Sequence, residues 1–129
     1  MMVKKEVVEK TGMFPEKFFM YYEEWDWSVR IQKAGYTIWY AADAEIFHKG
    51  ASSIGKANPI KEYYLTRNRI LYMRRNCDFL QLSVFTIFFV LFTIPKTFIK
   101  YFARQQFTHL GYFFKAIFWN LRSSSESPV

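Results

Sequence analysis

The chain has 129 residues and a mass of 15.6 kDa, enough for one small domain but too little for separate catalytic and substrate domains. Lys and Arg number 18 against 11 Asp and Glu, and residues 63–129 hold the whole excess, with nine basic and two acidic residues. This imbalance predicts an anionic partner for the C-terminal half. The single cysteine excludes an intramolecular disulfide and a thiolate-rich zinc site.

In the N-terminal half, the pattern predicts a helix followed by two strands. Trp27 and Ile31 recur at helical spacing within residues 23–34, and Gly35 supplies a stop. Residues 36–40 and 45–48 are rich in β-branched and aromatic side chains, which predicts two short strands. The first ten residues lack the apolar stretch of a secretory signal, so we expect the chain to begin in the cytoplasm.

A second helix is predicted after a Gly- and Ser-containing loop at residues 49–57. Asn58 is its expected cap, Pro59 its first residue, and Asn76 its approximate end. Its arginines are expected to form a basic surface that comprises Arg67, Arg69, Arg74 and Arg75.

The C-terminal third is apolar and predicts contact with a membrane. Residues 79–94 carry no charge and would span about 24 Å as a helix, short of a hydrocarbon core of about 30 Å. Pro95 is expected to end this helix, and residues 98–121 predict a basic amphipathic helix in the headgroup layer. Basic residues on both sides of the apolar run favour interfacial or re-entrant burial over a simple span. Nucleic acid is not an expected partner, because the aromatic residues lie in uncharged runs.

Three carboxylates crowd the predicted start of the first helix, at Glu23, Glu24 and Asp26. Acids are favoured at a helix N-terminus, and Asp26 can pair with Arg30 one turn later, so capping is one interpretation. Catalytic carboxylates are the other. No glycine-rich phosphate loop is present, so the sequence predicts no cofactor-binding motif.

These acids belong to a longer ordered series of motifs. A Gly-Phe turn and an aromatic loop precede the acidic motif, and an Arg, an Ala-Gly-Tyr and a strand pair ending in His follow it. A Gly/Ser loop and an Arg-Asn helix complete the series, as in KKEVVEKTGMFPEKFFMYYEEWDWSVRIQKAGYTIWYAADAEIFHKGASS and YYLTRNRILYMRRN. Because these motifs occur in this order, residues 3–76 resemble the C-terminal third of the catalytic domain of family 2 glycosyltransferases, especially bacterial rhamnosyltransferase-like members.

The resemblance implies an α/β fold, the C-terminal portion of a Rossmann-like GT-A domain, followed by hydrophobic or amphipathic helices. It implies transfer of a sugar from a nucleotide-diphosphate donor to a lipid-linked or saccharide acceptor, with inversion, in cell-surface polysaccharide or glycolipid synthesis. Glu24 matches the general base, and Glu23 and Asp26 match supporting acids. A divalent metal, manganese or magnesium, is the implied cofactor.

Three further residues are matched by the same resemblance. His48 corresponds to a histidine that helps to bind the metal in some relatives, although a strand-end histidine bonded to backbone is an equally open interpretation. Arg67 and Asn68 match an Arg-Asn pair on the acceptor or phosphate side, and a solvated basic helix is the alternative interpretation. The chain departs from the family in two ways: position 24 is Glu where many members have Asp, and Pro15 stands where Asp is common.

The resemblance also divides the chain. Residues 1–78 would form part of a catalytic domain, residues 79–121 a membrane-associated helical segment, and residues 122–129 a disordered tail. Because the family's nucleotide-binding half has no counterpart here, we expect the isolated chain to be inactive, and we expect its location to be the cytoplasmic face of the cell membrane. The alternative is a small, non-catalytic membrane-interaction protein that retains the remnant fold.

Overall fold

A computed structural model describes residues 2–45, 47 and 58–126, and the regular structure in these ranges is helical. Short helices precede the long ones, and a single 3₁₀ turn, Glu16–Phe18, lies between the first two. The elements are α1 (Lys5–Thr11), α2 (Glu23–Lys33), α3 (Pro59–Asn76), α4 (Phe79–Phe88), a π-helical segment (Phe89–Thr93), α5 (Ile94–Ala103) and α6 (Phe107–Arg122).

The expected α/β, Rossmann-like fold is wrong, because the described residues contain no strand. Residues 36–40 have no regular structure, and Trp39 and Tyr40 are 87% and 90% exposed. Glu45 and Phe47 are likewise not in a strand, and the rest of segment 45–48 lies outside the described residues. β-branched and aromatic residues favour strands only where a pleated, half-buried surface exists, and no described segment supplies a neighbouring strand.

The ends of α2 and the start of α3 agree with their local sequence signals. Gly35 has a φ of 90°, and the N–H groups of Gly35 and Tyr36 donate to the carbonyls of Gln32 and Ile31, which closes α2. The side chain of Asn58 accepts the N–H of Ile60 at 2.9 Å, ahead of Pro59 at the first helical position. Both predicted helices are therefore confirmed to within a residue.

Two clusters of packed side chains hold the helices together. The smaller joins α1 to α2 through Val7, Trp27 and Ile31, and the indole N–H of Trp27 donates to the carbonyl of Gly12 at 2.9 Å. The larger lies between α3 and α6, which run in the same direction: Tyr63 contacts Tyr112 near their starts, and Arg74 donates to the carbonyl of Ser123 near their ends. Leu71, Phe113 and Ala116 are buried there.

Pro95 does not end the apolar helix, contrary to the sequence-based expectation. The helix continues from Phe79 to Ala103 because the π-helical segment absorbs the proline: the N–H of Ile94 donates to the carbonyl of Phe89, five residues back. A proline lacks the N–H for the usual bond and crowds the carbonyl four residues earlier, and a wider turn relieves that crowding. We call Phe79–Ala103 the long helix; its 25 residues extend about 37 Å.

The single amphipathic helix expected over residues 98–121 is instead two helices separated by a turn. Gln105 has a φ of 53°, and the N–H groups of Gln105 and Gln106 donate to the carbonyls of Phe102 and Tyr101. This is the same hydrogen-bond pattern that closes α2, but here a glutamine occupies the left-handed position that usually favours glycine. Because no glycine marks this position, local sequence signals do not predict the break.

The C-terminal tail also makes defined contacts as far as residue 126. Arg122 ends α6, Arg75 donates to the carbonyl of Ser125 at 2.7 Å, and Lys17 donates to the carbonyls of Ser124 and Glu126. In this part of the chain, for which the sequence predicts disorder, the described residues are tied to α3 and to the loop before α2. Residues 127–129 lie outside the described range.

Candidate functional site

The loop at residues 17–22 leads into the acidic motif and has an unusual backbone. Phe19, Tyr21 and Tyr22 have φ values of 58°, 66° and 71°, in the left-handed region. For residues with a side chain this conformation costs about 1–2 kcal/mol each, so the loop needs contacts from elsewhere in the fold.

Two neighbouring side chains of α3 supply those contacts. The amide nitrogen of Asn68, a completely buried residue, donates to the carbonyls of Phe18, Met20 and Tyr21. Arg67 donates to the carbonyls of Lys17 and Phe18 at 2.6 and 2.8 Å, and its Nε donates to Asn68 Oδ1 at 2.8 Å. Together these bonds fix the path of the chain into α2.

Aromatic rings enclose the guanidinium of Arg67, which is only 7% exposed. It lies 4.7 Å from the ring centre of Tyr64 and 4.6 Å from that of Trp119 on α6. The expected basic surface is therefore wrong for Arg67, because the ring faces and the loop carbonyls replace water around its charge. Arg74 and Arg75 are also partly buried, whereas Arg69 is exposed.

Within the acidic motif, Asp26 faces inward and is 1% exposed. Its carboxylate accepts from Arg75 Nε at 2.9 Å, from Asn76 Nδ2 at 2.8 Å and from Arg30 Nε at 3.3 Å. The Asp26–Arg30 pair predicted from helical spacing is present. Arg30 also donates to the carbonyls of Thr11 and Met13, so the pair joins α1, α2 and α3.

The other two acids of the motif, Glu23 and Glu24, line a surface cleft of about 460 Å³. Glu24 is exposed, and among the described residues its carboxylate has no hydrogen bond or ion pair. Glu23 is partly buried, and its Oε2 atom is shielded from solvent without a hydrogen-bond partner in the described part of the chain. The cleft is lined by Met20, Tyr21, Tyr22, Glu23, Glu24, Trp25 and Leu65.

An aromatic group borders the same cleft. Trp25 is 61% exposed and contacts Tyr22 and Tyr72, with ring centres 5.4 and 6.3 Å away. The pKa of Tyr72 is raised, first because burial disfavours the phenolate and then because Cys77, Asp26 and Tyr22 lie nearby. The cleft thus combines an exposed carboxylate with flat apolar faces, a composition typical of polar-ligand sites.

Sequence reasoning missed several residues that shape this site. Trp25 gave no motif signal, and the roles of Arg75 and Asn76 depend on contacts with a residue about 50 positions away. One signal was available: the Arg-Asn pair at 67–68 recurs at 75–76, and both pairs bind backbone or side chains of the acidic-motif region.

The predicted metal site is not assembled by the described residues. Within residues 2–45, 47 and 58–126, no three His, Cys, Asp or Glu side chains lie close enough together to hold a metal ion. His48, the residue matched to a metal ligand, lies outside the described residues. Glu23, Glu24 and Asp26 lie within four residues of sequence, but the first two line the cleft while Asp26 faces the arginines of α3.

Comparison with curated proteins finds relatives of one kind. The chain is 32% identical to the "dTDP-rhamnosyl transferase RfbF" of Shigella flexneri over 70% of its own length and 33% of that protein. It is 36% identical, over 43% of its length, to the "N-acetylglucosaminyl-diphospho-decaprenol L-rhamnosyltransferase" of Mycobacterium tuberculosis, of which it covers 18%.

The chain therefore spans about a third or less of the length of these relatives. No family model matches it. No solved structure is significantly similar to it. At a general level, the similarity to two named rhamnosyltransferases supports a relationship between this chain and the glycosyltransferases.

Proposed function

We propose that this chain contributes the acceptor side of a sugar-transferring site, in which Glu24 is the general base. The proposal rests on the different surroundings of the acids within the acidic motif. Asp26 is buried and bonded to three donors, whereas Glu24 lies at the cleft without a partner among the described residues. A general base needs a carboxylate that is free to approach the hydroxyl from which it takes a proton.

The proposed reaction is an inverting displacement of the family 2, rhamnosyl-transferring kind. The acceptor hydroxyl oxygen forms a bond to the anomeric carbon, and the bond from that carbon to the nucleoside diphosphate breaks on the opposite face. The hydroxyl proton passes to the carboxylate of Glu24. Exposed Trp25 beside it offers a flat apolar face against which an acceptor sugar ring can lie.

The substrates proposed here follow the names of the relatives. One relative is named for dTDP-rhamnosyl transfer, and the other for an acceptor that joins N-acetylglucosamine to decaprenol through a diphosphate. For this chain we propose a nucleotide-diphosphate sugar as donor and a lipid-linked or saccharide acceptor at the cytoplasmic face of the cell membrane. The product would enter cell-surface polysaccharide or glycolipid synthesis.

Arg67 and Asn68 support the proposal through the loop rather than through the cleft. Their donor groups are directed at the carbonyls of residues 17–21, which hold Tyr21, Tyr22 and the start of α2 in place. We propose that they position Glu24 without touching the substrate. We also propose manganese or magnesium as the cofactor, with His48 as one ligand; His48 lies outside the described residues, which by themselves do not form a metal site.

A chimera tests the base assignment. The part of the Shigella protein that matches this chain is replaced by this chain, and rhamnosyl transfer from a dTDP donor is measured at saturating donor. General-base help is worth about 10²- to 10⁴-fold, so Glu24→Gln should lower turnover by that factor while the donor KM changes little. Glu24→Asp should retain part of the activity, because it keeps the carboxylate.

Glu9→Gln is the matched control, since Glu9 is an exposed acid on α1 and the chemical change is identical. It should leave turnover unchanged. Near-normal turnover of Glu24→Gln would remove Glu24 from the role of base. A folded chimera that transfers no sugar would favour the alternative of a non-catalytic membrane-interaction protein, which the exposed apolar surface of the long helix also supports.

A further inference from the structure

The long helix leaves a broad apolar face uncovered. In the described part of the chain it is the one helix that is long and apolar enough to cross a membrane, and little of it is buried. Side chains that recur every three or four residues form this surface, which we call the outer face. Its members are Leu80, Val84, Ile87, Phe88, Leu91, Phe92, Ile99 and Phe102, all more than half exposed.

The opposite face of the long helix is anchored to the rest of the protein. Phe89 is 5% exposed and stacks near Phe113 of α6, with ring centres 6.3 Å apart. Farther along, the hydroxyl of Tyr101 donates to the carboxylate of Glu62 at the start of α3. The long helix therefore begins beside the end of α3, three residues after Asn76, and returns to the beginning of α3.

This anchoring is incompatible with a span by the long helix. If it crossed a bilayer, α3 would be drawn to the same depth with its charged side chains, among them Glu62, Arg67 and Arg74. Charged groups in the hydrocarbon core cost several kcal/mol each. A helix that lies flat in the interface keeps α3 and α6 on the aqueous side.

The long helix and the residues that follow it, up to residue 125, carry only positive charge. Residues 79–125 contain no Asp or Glu, but they contain five basic residues, and all five are exposed. Three of them follow one another at four-residue intervals at the end of the long helix: Lys96, Lys100 and Arg104. Basic residues beside an apolar face are typical of helices that bind anionic lipid surfaces.

We propose that the long helix docks in the plane of an anionic phospholipid bilayer, with its outer face among the upper acyl chains and Lys96, Lys100 and Arg104 at the headgroups. The proposal deepens the suggested membrane location by naming the surface, the lipid charge and the orientation. It requires neither donor nor acceptor, so vesicle binding and sugar transfer can fail independently of each other.

The headgroup contribution is tested with the 129-residue chain and sealed vesicles of phosphatidylcholine, with or without phosphatidylglycerol. Binding should need phosphatidylglycerol and weaken with salt. Each removed charge should weaken binding about fivefold, so Lys96→Gln/Lys100→Gln should bind more than tenfold less tightly. Lys4→Gln/Lys5→Gln, two exposed lysines of the N-terminal region, should bind as the unchanged chain does. Equal binding to both kinds of vesicle would overturn the headgroup assignment.

The apolar contribution is tested by Ile87→Asn/Leu91→Asn on the outer face. Because both side chains are exposed, folding should be unaffected, as circular dichroism can verify, while vesicle binding should fall at least tenfold. Ile38→Asn, at an exposed isoleucine outside the helices, is the matched control and should bind normally. Wild-type binding by the double variant would contradict the proposal, as would a stable dimer that hides the outer face and excludes vesicles.

Labelling distinguishes docking from spanning. Native Cys77 precedes the long helix, and the substitution Gln106→Cys, made in a Cys77→Ser background, supplies a thiol that follows it. With protein added outside sealed vesicles, a membrane-impermeant maleimide should label both positions to the level reached after detergent lysis. If one position reacts only after lysis, the helix crosses the bilayer and the in-plane arrangement is excluded.

Discussion

The α3 helix buries charged and amide side chains, whereas the long helix leaves most of its apolar side chains exposed. Arg67 and Asn68 are 7% and 0% exposed, while Leu91 and Phe92 are 62% and 60% exposed. In a small protein in water this is the reverse of the usual distribution. The two regions therefore depend on different environments: α3 on specific partners inside the protein, and the long helix on an apolar surface outside it.

The buried polar side chains of α3 have a structural role, which their hydrogen-bond partners show. These side chains donate hydrogen bonds to the loop at residues 17–22, to the carboxylate of Asp26 and to the carbonyls at the end of α6. The loop and the last carbonyls of α6 lack the regular hydrogen bonds of a helix interior, so side chains of α3 satisfy them, whereas Asp26 accepts through its side chain from within α2. Burial of polar groups here fixes irregular backbone around the cleft, and removal of one partner should be costly.

The largest effect is expected when Asp26 is removed. Asp26→Ala leaves Arg30, Arg75 and Asn76 without their shared acceptor, and breaking a buried ion pair on one side costs about 3–5 kcal/mol. Urea unfolding followed by circular dichroism measures this loss. It should be accompanied by lower activity of any chimera that contains the segment, because the start of α2 loses its anchor.

Glu9→Ala is the comparison for that variant. Glu9 pairs with Lys5 at 3.4 Å, but the two side chains are 64% and 90% exposed, so the change should cost less than about 0.5 kcal/mol. Equal losses in the two variants would mean that burial of the Asp26 network adds nothing to stability, and the contrast between buried and exposed charge would fail.

Local signals in the sequence predicted much of the helical structure. Gly35 ends α2 because a left-handed residue is needed there, and Asn58 with Pro59 begins α3 because each suits its position at a helix start. The Asp26–Arg30 pair followed from helical spacing alone. In these cases the deciding interactions lie within a few residues of one another.

Interactions between distant segments account for the failures. The arginines of α3 predict a basic surface because helical spacing shows which residues share a face but not that α6 and the 17–22 loop cover it. Residues 36–40 have strand-forming side chains but no described partner strand. The helix continues through Pro95, where an end is expected, because a π-helical segment accommodates the proline. It ends before Gln105, where no end is expected, because the glutamine adopts the left-handed conformation.

A second prediction compares two phenylalanines three positions apart in the long helix. Phe89 is 5% exposed and Phe92 is 60% exposed. In lipid-free buffer, Phe89→Ala should cost about 3–4 kcal/mol, because it leaves a cavity beside Phe113, whereas Phe92→Ala should change the free energy of unfolding by less than about 0.5 kcal/mol. Urea unfolding of both variants measures the difference. Similar losses would show that the outer face is covered in solution.

The smallest effect concerns alkaline pH and the phenol of Tyr72 on α3. Burial raises the pKa of Tyr72 above its ordinary value of 10.0. Below pH 10 this phenol is protonated whether the chain is folded or unfolded, so it adds no pH dependence there. Above that value the unfolded chain loses the proton first, and the free energy of unfolding should fall by at most about 1.4 kcal/mol per pH unit.

Tyr72→Phe separates this contribution from the other tyrosines and lysines that titrate in the same range. The Tyr72 hydroxyl has no hydrogen bond to a described residue, so the variant should match the unchanged chain at neutral pH and lose stability less steeply above pH 10. Urea unfolding across that pH range provides the measurement. Parallel slopes for the two proteins would show that folding does not raise the pKa of Tyr72, because a raised pKa delays ionisation in the folded state alone and so steepens the loss of stability.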